Sequence, residues 1–231
     1  MRKLALVGVL VVGLMYFVLG GILSKNHAMK RLGQVVYSLV DETGRSGGTG
    51  FLVLGKSGTV FVMTNAHVCG KSSQMTYIDG TLTVVKVNKN YDLCLLVNND
   101  IQSKVYTALV VEDTHSSLEE VYTGGFAHLE RFNPQSGYFL EEAKIELAVP
   151  ARKDGTCEDG TQAFRSFFGS FFCVVEIAAV KTTFRIFPGN SGSPVISSSG
   201  GLVGVLFSGS TVTHYGNAVP LRLIQNFMEG L

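Results

Sequence analysis

The sequence predicts an all-β protein, either barrel or sandwich. Short apolar runs recur along the chain, clusters of Gly, Ser, Asn and Asp separate them, and no long segment after residue 31 keeps a helical period before the final dozen residues. The 231 residues are 46% hydrophobic and 16% charged, enough apolar content for a sizeable core and too much for a disordered chain. Mean hydropathy is +0.28. A formal net charge of +1 supplies no basic excess to neutralise phosphates, which argues against nucleic acid as a partner.

The chain opens with a basic N-terminus at residues 1–3, carrying Arg2 and Lys3. Residues 4–23, LALVGVLVVGLMYFVLGGIL, then run for 20 positions without a charge, and Lys25, Lys30 and Arg31 follow. Twenty helical residues cover about 30 Å, the thickness of a bilayer's hydrocarbon core. A secretory signal also starts with basic residues, but its apolar core runs only about 7–15 residues and ends at a small-residue cleavage site. GGILSKNHA offers no clean site. A single transmembrane anchor is therefore expected, with the rest of the chain extracytoplasmic. Cleavage as a signal peptide would leave it secreted. Basic residues on both flanks leave orientation undetermined.

The strand candidates follow in order: GFLVL, TVFVMTNA, TLTVVKV, LCLLV and KVYTALVV, then KIELAV, FFCVVEIAAV and GLVGVLF. The polar stretch EDTHSSLEE (112–120) divides them into halves of similar size, residues 33–112 and 118–231. The ending PLRLIQNFMEGL (220–231) places Leu221, Ile224, Phe227 and Met228 on one face, as a short closing helix would. In FRSFFGSFFCVV (164–175), Phe167, Phe168, Phe171 and Phe172 read as strand and hairpin core. An exposed tip there would instead meet lipid or a second subunit.

One stretch asks for chemistry. PGNSGSPV (188–195) is rich in turn formers, and a turn is its plain reading. It could equally cradle a nucleophile in backbone N–H groups. Of the five histidines, at 27, 67, 115, 128 and 214, only His67 sits at the end of a strongly apolar strand. Asp92, in NYDLCLL, enters an apolar segment, where a carboxylate needs a hydrogen-bonding partner to offset its desolvation. Asp79 and Asp100 sit in ordinary polar turns. Separately, His67 reads as a core histidine and Asp92 as a strand cap. The order His, Asp, GNSG is far less expected by chance.

GTGFLV (48–53), TNAHV (64–68), YDLCLL (91–96) and PGNSGSPV together resemble the signature segments of trypsin-like serine peptidases of the chymotrypsin fold, nearest the HtrA-like and glutamyl-endopeptidase branches. GNAVP (216–220) is similar to the strand ending before the C-terminal helix in that branch. The resemblance implies two six-stranded antiparallel β-barrels with a short C-terminal helix, and a polypeptide substrate. It implies His67 as general base, Asp92 as the acid that fixes its tautomer, and Ser191 as nucleophile. The N–H groups of Gly189 and Ser191 would form the oxyanion hole. No PDZ-like segment follows, and trimers are frequent among HtrA-like enzymes. No cofactor or metal is expected, since no CxxC spacing occurs. A Cys nucleophile is equally disfavoured, because Ser fills the GNSG position.

Departures from the family pattern carry information. Asn190 stands where digestive relatives carry an Asp that receives a new N-terminus, and no IVGG start exists, so activation by an N-terminal ion pair is not expected. By the same resemblance, the substrate pocket comprises Arg185, Ile186, Leu206, Phe207, Ser208 and Gly209. It offers no residue matched to a basic or acidic side chain unless Arg185 faces inward, so a small or medium apolar side chain is the expectation. Cys69, Cys94, Cys157 and Cys173 permit two disulfides in three connectivities. Cys157 and Cys173, flanking one loop, are the favoured pair, slightly ahead of free thiols. Cys69 and Cys94 each lie two residues beyond His67 and Asp92. The alternative to an active peptidase is an inactive peptidase-like domain that binds peptides or acts as a scaffold.

Overall fold

The computed structural model describes residues 24–44, 46–112, 116, 118–151, 155–157, 163–165, 171–210 and 215–231. The apolar segment 4–23 lies outside them, as do Phe167, Phe168, His115 and His214. Among the described residues, no helix is long and apolar enough to cross a membrane.

The first element is a helix, α1, at residues 24–35. It displaces the expected start of the first barrel from residue 33 to Val36. Ala28, Leu32 and Val35 are fully buried at i, i+4 and i+7, so one face of α1 packs on the core. That stripe is short, and its polar neighbours hide the period in the sequence.

Six strands then form a closed barrel: β1 (Val36–Asp41), β2 (Gly47–Leu54), β3 (Val60–Thr64), β4 (Gln74–Tyr77), β5 (Gly80–Asn88) and β6 (Leu93–Val97). Their order around the barrel is β1-β2-β3-β6-β5-β4. Every residue of β3 (VFVMT) is buried, as are the first four of β6 (LCLLV). Continuous apolar runs mark strands covered on both faces. In β5, GTLTVVKVN, exposed and covered positions mostly alternate, as expected where one face meets water. A four-residue helix, α2 (Ala66–Cys69), follows β3, and a 3-10 helix spans Asp100–Lys104.

The second half is a seven-stranded sheet: β7 (Glu120–Ala127), β8 (Arg131–Pro150), β9 (Phe164–Arg165), β10 (Phe171–Thr182), β11 (Pro194–Ile196), β12 (Leu202–Ser210) and β13 (Tyr215–Pro220). Its order is β13-β12-β11-β7-β8-β10-β9, and β10 also pairs with β13. The expected six strands therefore gain a seventh, the two-residue β9 along β10. It forms because β8 and β10 make a long ribbon, paired from Phe172↔Pro150 to Thr182↔Phe139, with an outer edge free for pairing.

Of the four phenylalanines expected as core, Phe171 is exposed and Phe172 half-buried, and Phe167 and Phe168 lie outside the described residues. Phe164 and Phe171 are exposed, and Phe164 stacks on Phe172 at 5.9 Å between ring centroids. A disulfide, Cys157–Cys173, clips this region with a Cα–Cα separation of 5.6 Å.

Helix α3 (Leu221–Met228) closes the fold. Ile224, Phe227 and Met228 are buried and Leu221 only partly so. They join a core that includes barrel residues such as Phe51, Leu82 and Leu95. The C-terminus therefore docks on the first barrel: Lys86 Nζ donates to the Phe227 carbonyl at 2.6 Å, and the Ser57 N–H donates to the Leu231 carbonyl at 3.1 Å.

Candidate active site

His67 lies in α2, immediately beyond the buried strand β3, and its side chain is 50% exposed. Asp92 precedes β6 with φ 52°, a left-handed conformation that Asp tolerates better than most residues. That conformation accompanies a carboxylate aimed back at α2. Asp92 Oδ1 accepts the His67 backbone N–H at 3.0 Å, and Oδ2 accepts His67 Nδ1–H at 2.8 Å. A carboxylate only accepts, so Nδ1 carries a proton, and in the neutral imidazole Nε2 is the nitrogen with the lone pair. Asn65, fully buried, donates from Nδ2 to the Asp92 carbonyl at 2.9 Å and holds the aspartate's backbone.

A disulfide fastens the same two segments. Cys69 and Cys94 are bonded, joining α2 to β6 two residues beyond His67 and Asp92.

The Ser191 turn packs on β2 at Gly48, where α2 also rests. A Cβ at Gly48 would stand 2.7 Å from Val68 Cγ2 and 2.8 Å from the Ser191 carbonyl oxygen, so only glycine lets α2 and the Ser191 turn approach so closely. The Ser191 hydroxyl donates to the Phe207 carbonyl at 3.3 Å, and no hydrogen bond joins it to His67.

The turn itself is held from the first barrel. Thr49, buried in β2, donates its N–H to the Ser191 carbonyl at 2.8 Å and its hydroxyl to the Gly189 carbonyl at 2.7 Å. The same hydroxyl accepts the Phe126 N–H at 3.0 Å. Thr64 donates to the Thr49 carbonyl at 2.7 Å. On the other side, the His128 N–H donates to the Pro188 carbonyl at 2.6 Å. Gly189 has φ +93°, where a side chain would be strained. Among the described residues, the N–H groups of Gly189 and Ser191 have no acceptor, while the neighbouring carbonyls are engaged. Two free donors beside a serine hydroxyl can stabilise an oxyanion.

Asn190 is fully buried, and neither polar atom of its side chain has a partner among the described residues. No cation pairs with it there.

The expected pocket residues separate into three groups. Arg185 is exposed, and its backbone exchanges two hydrogen bonds with Gln135 (3.0 and 3.1 Å). Leu206 is fully buried in a cluster with Val121, Phe139 and Phe184, inside the second sheet. Its backbone, not its side chain, serves the turn, accepting the Gly192 N–H and donating to the Ser193 carbonyl. Phe207 contributes its carbonyl to Ser191, with its side chain buried in the main core. Ser208 accepts a hydrogen bond from Asn217 at 3.0 Å. Ile186 and Gly209 do meet: Ile186 Cγ1 lies 2.5 Å from where a Gly209 Cβ would be and 2.7 Å from where a Gly216 Cβ would be. Ile186 thus fills the gap between two paired glycines of β12 and β13.

Thr49, Asn65 and Gly216 carry roles that sequence reasoning did not assign to them, although each falls inside a quoted motif. Their spacing from His67 and Ser191 carries no chemical pattern, because Thr49 and Asn65 hold the backbone carbonyls of other residues and Gly216 acts by lacking a side chain.

The family model for the trypsin-like peptidase domain matches residues 48–205, which contain all the residues just described from Gly48 to Ser193. The chain belongs to the trypsin-like peptidase family. That family is one of serine endopeptidases. No curated protein matches this trypsin-like peptidase by sequence. Among solved structures it is similar to the inactive form of the Rv3671c protease, at 21% identity and TM-score 0.63, with 89% of this chain and 93% of that one covered. The active form of Rv3671c protease from M. tuberculosis matches at 19% identity and TM-score 0.60, covering 84% and 79%. The HtrA-type protease AlgW with a tripeptide matches at 20% and 0.58, and the chain spans 64% of its length. At these identities the likeness is one of fold.

Proposed function

We propose that this trypsin-like peptidase is a membrane-anchored serine endopeptidase working through Ser191, His67 and Asp92. The observation that carries the reading is the doubly accepted His67: one carboxylate takes both its backbone N–H and Nδ1–H, which leaves Nε2 as a base beside the Ser191 turn. Catalysis requires the Ser191 hydroxyl to leave the Phe207 carbonyl and engage Nε2. Catalytic hydrogen bonds are often long in unliganded enzymes and tighten in the complex. Ser191 Oγ then attacks the peptide carbonyl as Nε2 takes its proton. The N–H groups of Gly189 and Ser191 stabilise the resulting oxyanion. His67, now an imidazolium beside Asp92, protonates the leaving amine, and water completes the second half-reaction.

Ile186, wedged between Gly209 and Gly216, supports a preference for a small or medium apolar side chain before the cleaved bond. The membrane anchor is the 20-residue uncharged segment 4–23, supported by its length and its flanking basic residues.

Fluorophosphonate labelling of the full-length chain tests the reading. The wild type labels and hydrolyses peptides, and Ser191→Ala loses both, a drop on the order of 10⁴–10⁶ in rate. A folded wild type that neither labels nor cleaves points instead to an inactive peptide-binding domain.

A further inference from the structure

Each N–H of the oxyanion hole belongs to a planar peptide group, and the carbonyl at the other end of that plane fixes where the N–H points. The Ser191 N–H shares its plane with the Asn190 carbonyl, which accepts the Ser193 N–H at 3.0 Å within the turn itself. The Gly189 N–H shares its plane with the Pro188 carbonyl, which accepts the His128 N–H at 2.6 Å. One donor is therefore held locally. The other is held from a separate element, the turn between β7 and β8.

The β7–β8 ladder ends at Ala127↔Arg131, which leaves residues 128–130 to reverse the chain. His128 and Leu129 both take left-handed conformations, with φ 54° and 62°. Residues other than glycine seldom do so; histidine is among the more tolerant, and β-branched residues are among the least. The turn's own bonds run from the Leu129 N–H to the Phe126 carbonyl at 2.9 Å and from the Glu130 N–H to the Ala127 carbonyl at 3.2 Å. The His128 N–H takes part in neither and is given to Pro188 instead. Backbone held in a sparsely populated region beside a catalytic turn points to a functional constraint. The approach is close, since a Cβ on Gly189 would press on the Phe126 carbonyl and stand 3.0 Å from the nitrogens of His128 and Leu129. The imidazole belongs to an exposed residue and lies 6.0 Å from the Phe187 ring, centroid to centroid.

We propose that His128 is a positioning residue for the reaction: its backbone N–H sets the plane of the Pro188–Gly189 peptide and so aims the Gly189 donor at the oxyanion. With that peptide turned over, a carbonyl would face the cleft and the hole would keep a single donor. The bond also acts through the plane. Linked hydrogen bonds polarise one another, so a Pro188 carbonyl that accepts from His128 makes the Gly189 N–H a stronger donor. Both effects are realised as charge develops in the transition state, so they belong to kcat.

This role rests on the Ser191 mechanism under Proposed function, and the experiment separates the two. Full-length wild type, His128→Asn and His128→Val are compared with a form carrying a backbone ester in place of the amide at position 128, which deletes the N–H. Asn accepts the left-handed conformation and Val resists it, so His128→Asn is expected to stay within about twofold of the wild-type rate. His128→Val and the ester should each lose about ten- to a hundredfold in kcat with KM nearly unchanged, short of the 10²–10³ of a lost oxyanion donor. Affinity for a peptidyl trifluoromethyl ketone, whose adduct with Ser191 carries the oxyanion, should fall by the same factor. Affinity for the cleaved peptide should not move, a split that a merely structural role would not produce. The ester keeps the test valid if His128→Val fails to fold. An unchanged kcat in the ester overturns the role, and so does an equal loss in His128→Asn, which would assign the effect to the imidazole. A wild type that neither labels with a fluorophosphonate nor hydrolyses peptides overturns the mechanism and the role together, whereas an active wild type with an equally active ester overturns the role alone.

Discussion

Thr49 anchors the Ser191 turn with a single N–H and a single hydroxyl. Its bonds to the Ser191 and Gly189 carbonyls fix the peptide groups that flank the Asn190–Ser191 pair, whose own N–H groups (Asn190 and Gly192) donate to the Phe187 and Leu206 carbonyls. They so hold the turn that presents the Gly189 and Ser191 N–H groups, free among the described residues. Thr49 touches no reacting atom and acts as a positioning residue. Thr49→Val keeps shape and removes the hydroxyl. The expected result is a fall in kcat of roughly tenfold to a hundredfold with KM nearly unchanged, less than the 10²–10³ of losing an oxyanion donor outright. Thr49→Ser should restore most of the rate. A rise in KM alone would refute the assignment. Ile186 supplies a second residue-scale prediction. Replacing it with Gly empties the gap between Gly209 and Gly216, and cleavage after Phe or Leu should rise relative to cleavage after Ala, by about ten- to a hundredfold per pocket enlarged. A peptide-library profile that does not move would show that Ile186 is only core.

Among the elements, α2 and β6 form the unit that matters. Each presents one member of the His67–Asp92 pair, and the Cys69–Cys94 bridge ties them two residues further on. Asp92 sits in a left-handed conformation that must be held by its surroundings. Removing the bridge by Cys69→Ala with Cys94→Ala should lower stability by about 2–4 kcal/mol and reduce kcat. The matched Cys157→Ala, Cys173→Ala variant loosens only the β8–β10 ribbon and should leave kcat unchanged. Denaturant melts and peptide hydrolysis on both variants check the contrast. The strands themselves were legible from short runs such as VFVMT and LCLLV, because continuous apolar stretches this short have few other uses. Helix α1 was not, because its buried stripe spans only Ala28 to Val35 and directly follows an apolar segment of another kind. The seventh strand was also hidden: two residues, Phe164 and Arg165, pair with β10 only because the ribbon offers an edge.

Across the whole molecule, α3 fastens the second half to the first. Phe227 is buried in the main core, and Lys86 Nζ lies 5.0 Å from its ring centroid. Phe227→Ala should cost about 3–5 kcal/mol. Because the cleft is built between the halves, hydrolysis should fall at temperatures below the new melting point, measured by parallel calorimetry and assay. The candidate base, acid and nucleophile could be named before any coordinates, since those roles need His, Asp and Ser and the flanking motifs are specific, and the structure pairs His67 with Asp92. The pocket was far less readable. Arg185 and Leu206 occupy the right positions in the chain, yet one faces solvent and the other the core, and alignment by motif cannot tell which way a side chain turns.

By itself, the sequence determined the all-β class and the closing helix and named the three residues of the proposed mechanism, because those follow from local patterning and from which side chains can do the chemistry. The tertiary structure alone decided that Thr49 holds the turn, that Cys69 pairs with Cys94 and that Ile186 fills the space between two glycines. Contacts between residues more than a hundred positions apart, such as Thr49 with Gly189, depend on how two halves meet. Nothing in a local stretch of chain encodes that meeting.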